Sequence, residues 1–261
     1  MRPKLIHLKK IRVGAVSYLN TRPLLYGIRK HKISQQIELI EDYPSRIAQL
    51  LIEDKIDVGL IPVAAIPMLQ EYHIISNYCI GSDGPVASVC IFSEVPIEEV
   101  KNIYLDYQSK TSINLARILL KQYWKKDVEL IETRDEDFRD QIKGTTAGVI
   151  IGDRALEQRL KSKYIYDLGE AWMKHTGLPF VFATWVANKE LPGEFINEFD
   201  EANAFGLKHL NEVIEETTYS NFNLKNYYNN YISYYLDDEK RKGMDLFLKL
   251  LSGASRMANQ K

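Results

Sequence analysis

Between Ile11 and Pro62 the chain alternates short β-branched runs with amphipathic stretches, and this alternation limits the possible folds more than any other feature. A strand is predicted at 11–16, ending in polar residues, and Pro23 opens a helical stretch over 24–29. A second strand is expected at 37–40. Pro44 suits a first helical turn, and Ile47, Leu50, Leu51 and Asp54 follow at helical spacing. A third strand at 56–61 is closed by Pro62. Such a β-α-β-α-β order predicts parallel strands covered by helices on both faces. Ligands of such sheets lie in the crevice at the carboxyl ends of the strands, where the first loops gather.

A second unit is predicted from about Ser93 onward. It holds strands at 102–105, 128–131 and 147–152, a helix opened by Ser109 to Ser112 and running to about Tyr123, and a charged helix near 135–142. The apolar run 180–187 is long enough to return to the first unit. Helices at 193–218 and 237–251 flank a Tyr-rich segment. Two α/β units joined by two crossings, with a helical tail, form a two-lobed binding-protein plan whose ligand site is the cleft and whose crossings are hinges. The expected limits are residues 1–92 plus 183–261 for the first lobe and 93–182 for the second. A single doubly wound sheet is the competing arrangement.

Composition removes several functions. Lys plus Arg number 34 against 35 Asp plus Glu, so the net charge of −1 gives no basic excess for a nucleic acid or an anionic membrane. The longest apolar stretch, 58–69, is broken by Pro62 and Pro67 and is too short to span a bilayer. The basic opening, residues 1–12, has no apolar core of a secretory signal behind it, so a cytoplasmic location is expected. Cys79 and Cys90 are too few for a disulfide scaffold and read as core filling. His7, His31, His73, His175 and His209 are scattered without metal-ligand spacing, and no metal site is expected. GxGxxG, GxxxxGK[ST] and GxSxG motifs are all missing, which argues against nucleotide cofactors and serine hydrolysis.

Hydroxyls, amides and backbone N–H groups remain at the strand ends. Ser17, Asn20 and Thr21 follow the first strand, where they can cap the helix at Pro23 or meet a ligand. Ser88 stands within an apolar strand, so its hydroxyl must bond to backbone, water or ligand, with backbone preferred. Ser109, Thr111 and Ser112 open the helix of the second unit and could form an anion-binding corner. Gly152 and Asp153 follow the strand at 147–151, with Asp153 expected to cap the next helix or face the cleft. Arg22, Arg46, Lys110 and Arg154 are the cations available to a charged ligand, each more simply read as solvated. Glu170 and His175 are the titratable groups that could carry a proton near the second crossing. The five tyrosines from Tyr227 to Tyr235 recur at roughly helical spacing and are expected to pack the tail.

Motifs carry the reading further. Val13-Gly-Ala-Val-Ser-Tyr-Leu-Asn-Thr-Arg-Pro-Leu24 resembles the opening signature of the menaquinone-pathway chorismate dehydratases of the futalosine route. The resemblance continues in order through Asp57-Val-Gly-Leu-Ile-Pro-Val-Ala64, Gly84-Pro-Val-Ala-Ser-Val89 and Leu105-Asp-Tyr-Gln-Ser-Lys-Thr-Ser112. It then includes Ile150-Ile-Gly-Asp-Arg-Ala-Leu156, Asp167-Leu-Gly-Glu-Ala-Trp172 and Gly177-Leu-Pro-Phe-Val-Phe182, so residues 11 to 187 are covered well and the tail loosely. It implies a type II periplasmic-binding-protein fold and a cofactor-independent hydro-lyase converting chorismate to 3-[(1-carboxyvinyl)oxy]benzoate and water. By the same resemblance Asn20 and Ser88 are the chief catalytic candidates. Ser17, Tyr18, Thr21, Ser109, Thr111, Ser112, Gly152 and Asp153 are the candidate substrate-binding residues. Ala87 departs from the pattern, since many relatives are expected to carry a basic or polar residue there. The alternatives are a non-catalytic binding protein for a small anion and the related dihydroxynaphthoate synthase, whose Cys-Pro-Asn-Asp-like opening is absent here.

Overall fold

The computed structural model describes residues 10–258; residues 1–9 of the basic opening, His7 among them, lie outside the described residues. The chain begins with β1 (Ile11–Val16), α1 (Arg22–Lys30), β2 (Ile37–Asp42), α2 (Pro44–Ile52), β3 (Val58–Pro62) and β4 (His73–Ser82). It continues through β5 (Val89–Ser93), β6 (Asn102–Leu105), α3 (Lys110–Gln122), β7 (Glu129–Glu132), β8 (Thr146–Ile151), α4 (Asp153–Gln158) and β9 (Tyr164–Asp167). After α5 (Leu168–Thr176) and β10 (Phe180–Ala187) come α6 (Gly193–Lys208), α7 (Leu210–Glu215), α8 (Leu224–Asn226), β11 (Ser233–Tyr235) and α9 (Asp238–Ala258).

The strands form two sheets, ordered β11-β4-β10-β3-β1-β2 and β7-β6-β8-β5-β9. β1 pairs in parallel with β2 and β3, as the opening alternation requires, and β6 pairs in parallel with β7 and β8. β10 returns antiparallel between β3 and β4. The chain therefore passes between sheets twice, at 83–88 and at 168–179. Both passages come a few residues earlier than the expected limits at 92/93 and 182/183, because β5 and β10 each belong whole to one sheet.

Side-chain alternation sorts the second sheet. Val89, Ile91, Val149 and Ile151 join the main core, while Cys90, Phe92 and Ile150 face a smaller cluster with Phe138 on the opposite face. Cys79 and Cys90 are buried free thiols, as core filling requires. The charged helix expected at 135–142 is a single 3₁₀ turn, Asp137–Gln141, whose only buried side chain is Phe138. The Tyr-rich segment is not wholly helical either. After a π turn at Tyr227–Tyr231, Ser233–Tyr235 adds an edge strand to β4.

The tail is bound into both the first lobe and the crossings. On α9, Lys240 is only 2% exposed and pairs with Asp83 of the first crossing and with Asp237, each at 2.8 Å. Phe247 packs edge-on against Trp172 and Phe180 beside the second crossing. Helix α6 lies backbone-to-backbone on α1. A Cβ at Gly206 would stand 1.8 Å from the Pro23 carbonyl oxygen, and one at Gly27 would stand 1.9 Å from that of Ala202. Neither obstacle is a side chain that could swing aside. Gly206→Ala should therefore destabilise the chain by about 2–3 kcal/mol, read as a lower urea midpoint with an unchanged slope.

Candidate functional site

Three helices start at one hollow between the sheets. Asn20 and Thr21 precede α1, Pro44 opens α2, and Ser109 and Ser112 form the start of α3; all five residues line a hollow of about 40 Å³. That is well below the roughly 300–1,000 Å³ of small-molecule sites, so the lobes must part to admit a ligand. The apolar wall comes from strand ends and the first crossing, through Val16, Pro62, Ile80, Val86 and Phe182, and Gly152 closes the far side. None of the lining residues carries a charge. Positive potential in the hollow is thus supplied by the N-terminal dipoles of α1, α2 and α3, an environment suited to an anion. Among the described residues no group of three or more His, Cys, Asp or Glu side chains could hold a metal ion.

Of the ten sequence-derived candidates, Asn20, Thr21, Ser109, Ser112 and Gly152 meet in this hollow. Capping accounts for only part of that set. Ser109 does cap α3, accepting the Ser112 N–H at 3.3 Å. No side chain caps α1; the Asn20 Oδ1 instead accepts the Thr21 hydroxyl at 3.1 Å. Ser17 departs from expectation. It is exposed and lines a separate outer groove with Arg22, Tyr26 and Thr217, since the period of two that turns Val16 inward turns Ser17 outward.

Four further candidates stand one layer behind the lining, with polar atoms committed within the chain. Ser88 is fully buried, and its hydroxyl donates to the Val86 carbonyl over a long 3.4 Å. Thr111 Oγ1 accepts the Ala64 N–H at 3.1 Å. Asp153 neither caps α4 nor lines the hollow, and its carboxylate accepts the Leu19 N–H across the cleft at 3.0 Å. Tyr18 reaches the other lobe through a hydrogen bond to Gln108, and its ring covers Gly152. The Ser45 N–H adds a 3.0 Å bond to the Gln108 carbonyl. Together these contacts hold the lobes closed.

Glu170 and His175 are remote from the hollow's lining. Glu170 pairs with Lys174 on the exposed side of α5, and His175, in the last turn of the same helix, packs against Tyr123 and meets Gln122. Two supporting residues escaped the sequence reading, although both stand in the motif blocks that carry the family resemblance. Asp106 is wholly buried and grips Arg154 at 2.7 and 2.9 Å while accepting the N–H groups of Gln108 and Ile151. Burial pushes its carboxyl up, and those four donor contacts oppose the push. Arg154 is thereby anchored through Nη2, while its Nη1 stands 3.5 Å from Glu136. Asp167 caps α5. A carboxylate just after a strand and just before a helix was the available signal for both.

Comparison with known proteins fits this geometry. A family model described as menaquinone biosynthesis matches residues 11–252. A chorismate dehydratase of Thermus thermophilus is 24% identical, covering 92% of this chain and 94% of the relative. A chorismate dehydratase of Campylobacter jejuni is 29% identical over 71% of this chain and 72% of its own length. Among solved structures, an Archaeoglobus fulgidus protein superposes with a TM-score of 0.76 at 17% identity, covering 96% of this chain and 99% of that one. A Candida albicans protein described as having the generic periplasmic binding protein fold gives 0.63 at 15% identity, with 93% and 90% covered. The aliphatic sulphonate binding protein SsuA of Escherichia coli gives 0.59 at 14%, with 93% and 92% covered. The fold is thus periplasmic-binding-protein-like, with two α/β lobes. Among the described residues no helix is long and apolar enough to cross a membrane.

Burial raises the Asp153 carboxyl to about 6, against the opposing Leu19 N–H and the charge of Arg22. An unfolded aspartate releases its proton near pH 4. Between that value and about pH 6 the folded chain keeps a proton that the unfolded chain has lost, so this group makes stability fall as pH rises and adds no further slope above 6. Asp153→Asn should remove that fall, of the order of 2 kcal/mol. Urea unfolding of both proteins at about pH 4 and pH 7 measures the difference, with slopes from other carboxylates common to both.

Proposed function

This chain belongs to the menaquinone biosynthesis family, and within it we propose that it is a chorismate dehydratase, a cytoplasmic hydro-lyase that forms 3-[(1-carboxyvinyl)oxy]benzoate and water without a cofactor. Both curated relatives reported above bear that name. The observation that carries the reading is the uncharged hollow into which three helices begin, with Asn20 on one lobe and Ser109 and Ser112 on the other. Chorismate presents two carboxylates. Helix starts with hydroxyls receive such groups without a paired cation.

The reaction removes the ring hydroxyl and the proton beside the ether, leaving an aromatic ring. That proton is vinylogous to the ring carboxylate, so its departure sends negative charge onto the carboxylate oxygens. Donors fixed there stabilise the developing charge more than the ground state. In this reading Asn20 holds the leaving hydroxyl. Ser88 exchanges its long bond to Val86 for one to a carboxylate of the substrate. None of the lining residues is a carboxylate, histidine or lysine that could take the proton. The enolpyruvyl carboxylate of the substrate takes it instead and passes it to the departing hydroxyl, which leaves as water. Positioning a reacting group within one molecule can contribute roughly 7–11 kcal/mol. Opening of the lobes to admit the substrate, followed by closure around it, holds it in that conformer and excludes bulk water.

Purified protein incubated with chorismate should lose the diene absorbance and yield a product lighter by one water. Asn20→Ala should lower kcat by about 10²–10³-fold with an unchanged unfolding curve. Tight binding with no turnover by the unaltered chain would reject the enzymatic reading and favour a small-anion binding protein of the same fold.

A further inference from the structure

The residue before Ser88 has an unusual backbone. Ala87 is buried, is not a glycine, and has φ +61°, in the left-handed region that L side chains seldom adopt. The Ser88 N–H returns to the Val86 carbonyl at 2.7 Å, so residues 86–88 form a tight three-residue turn of the rare, strained hand. Such a turn persists only where its surroundings dictate it.

Asp167 is the main dictating group. Its Oδ1 accepts the N–H groups of Gly169 and Glu170 at 3.0 and 3.1 Å, which is ordinary capping of α5. Its Oδ2 accepts the N–H of Val86 at 3.0 Å and that of Ala87 at 2.7 Å, which capping does not require. One carboxylate therefore joins the first crossing to the start of the second. The fit is close, since a Cβ on Gly169 would lie 2.5 Å from the Gly84 carbonyl oxygen. Arg159 holds the turn at its carbonyl, donating to the Ala87 oxygen at 3.3 Å, and the Gly152 N–H donates to the Ser88 carbonyl at 2.8 Å. Val86, thus fixed, lines the hollow, and Gly152 lines it opposite.

We propose that Asp167 is a positioning residue of the reaction: by gathering the Val86 and Ala87 amides it holds the strained turn that sets where Ser88 presents its hydroxyl, with Arg159 as the opposing hold. This rests on the reading of Ser88 as a group that touches the substrate. A purely structural carboxylate would affect stability alone; a positioning one acts on turnover, and only while Ser88 is present.

The test compares Asp167→Asn and Arg159→Met, each alone and combined with Ser88→Ala, in the full chain. The asparagine keeps the shape but places an amide where four N–H groups need an acceptor. Asp167→Asn should lower kcat by about tenfold or more with KM changed by less than about threefold. Arg159→Met, which leaves the α5 cap intact and so stays folded if the first variant does not, should lower kcat about threefold. In the Ser88→Ala background neither change should cost more than about a further twofold, because the group being positioned is gone. Ala87→Gly added to Asp167→Asn should restore part of the lost kcat, since glycine adopts that φ without strain. Equal losses with and without Ser88, or full turnover in both single variants, would overturn the inference. If the unaltered chain binds chorismate without converting it, the functional reading fails by itself. Chorismate affinity then becomes the readout, and Asp167→Asn binding as well as the unaltered chain, while Ser88→Ala binds more weakly, overturns the inference too.

Discussion

A chain that leaves one sheet, builds a second and returns to the first must cross the same gap twice, and the form of the cleft follows from that constraint. The crossings at 83–88 and 168–179 bring the ends of the two sheets face to face. In a right-handed β/α unit the helix begins where its strand ends, so the starts of α1, α2 and α3 are delivered to the gap. The hollow thereby acquires a positive field without one lining cation. Arg154 is drawn away by the buried Asp106, which leaves Asn20, Thr21, Ser109 and Ser112 as neutral donors around the space. A site of this kind can hold a carboxylate firmly and still let charge move between oxygens during reaction, because no fixed ion pair favours one arrangement.

Much of this was legible in the sequence because it depends on periodicities. The β-α-β-α-β alternation up to Pro62 specified the parallel core of the first sheet, and Phe180–Ala187 reads as a strand whichever sheet it joins. The loop chemistry around Asn20 and the hydroxyls from Ser109 to Ser112 marked both sides of the hollow. Pattern failed where a partner distant in sequence decides the outcome. Ser233–Tyr235 is a strand only because β4 offers an unpaired edge, whereas its tyrosines follow a near-helical spacing. Ser17 differs from Val16 by one step of a strand, and a hydroxyl type says nothing about which face it takes. The apolar wall of Val16, Ile80 and Phe182 looks in sequence like ordinary core. Thr111, Asp153 and Tyr18 carry suitable chemistry, yet their atoms bond to the opposite lobe, which no local window reveals.

Likeness of fold and likeness of chemistry separate here. The sulphonate-binding protein shares the architecture at 14% identity, which speaks to lobes and crossings and not to what is bound. Family membership rests instead on a match spanning residues 11–252, and that span includes the crossings, the helix starts and most of α9.

The pair Gly27 and Gly206 gives the helical tail that follows β10 a significance beyond its sequence. Their contact seats α6 directly on the backbone of α1, the helix whose first turn follows Asn20. A segment with no residue in the hollow's lining therefore sets the height and tilt of one of its walls. Drift in the tail is free on its solvent side but not along the seam, so two glycines far from any ligand are as constrained as the residues that would touch one.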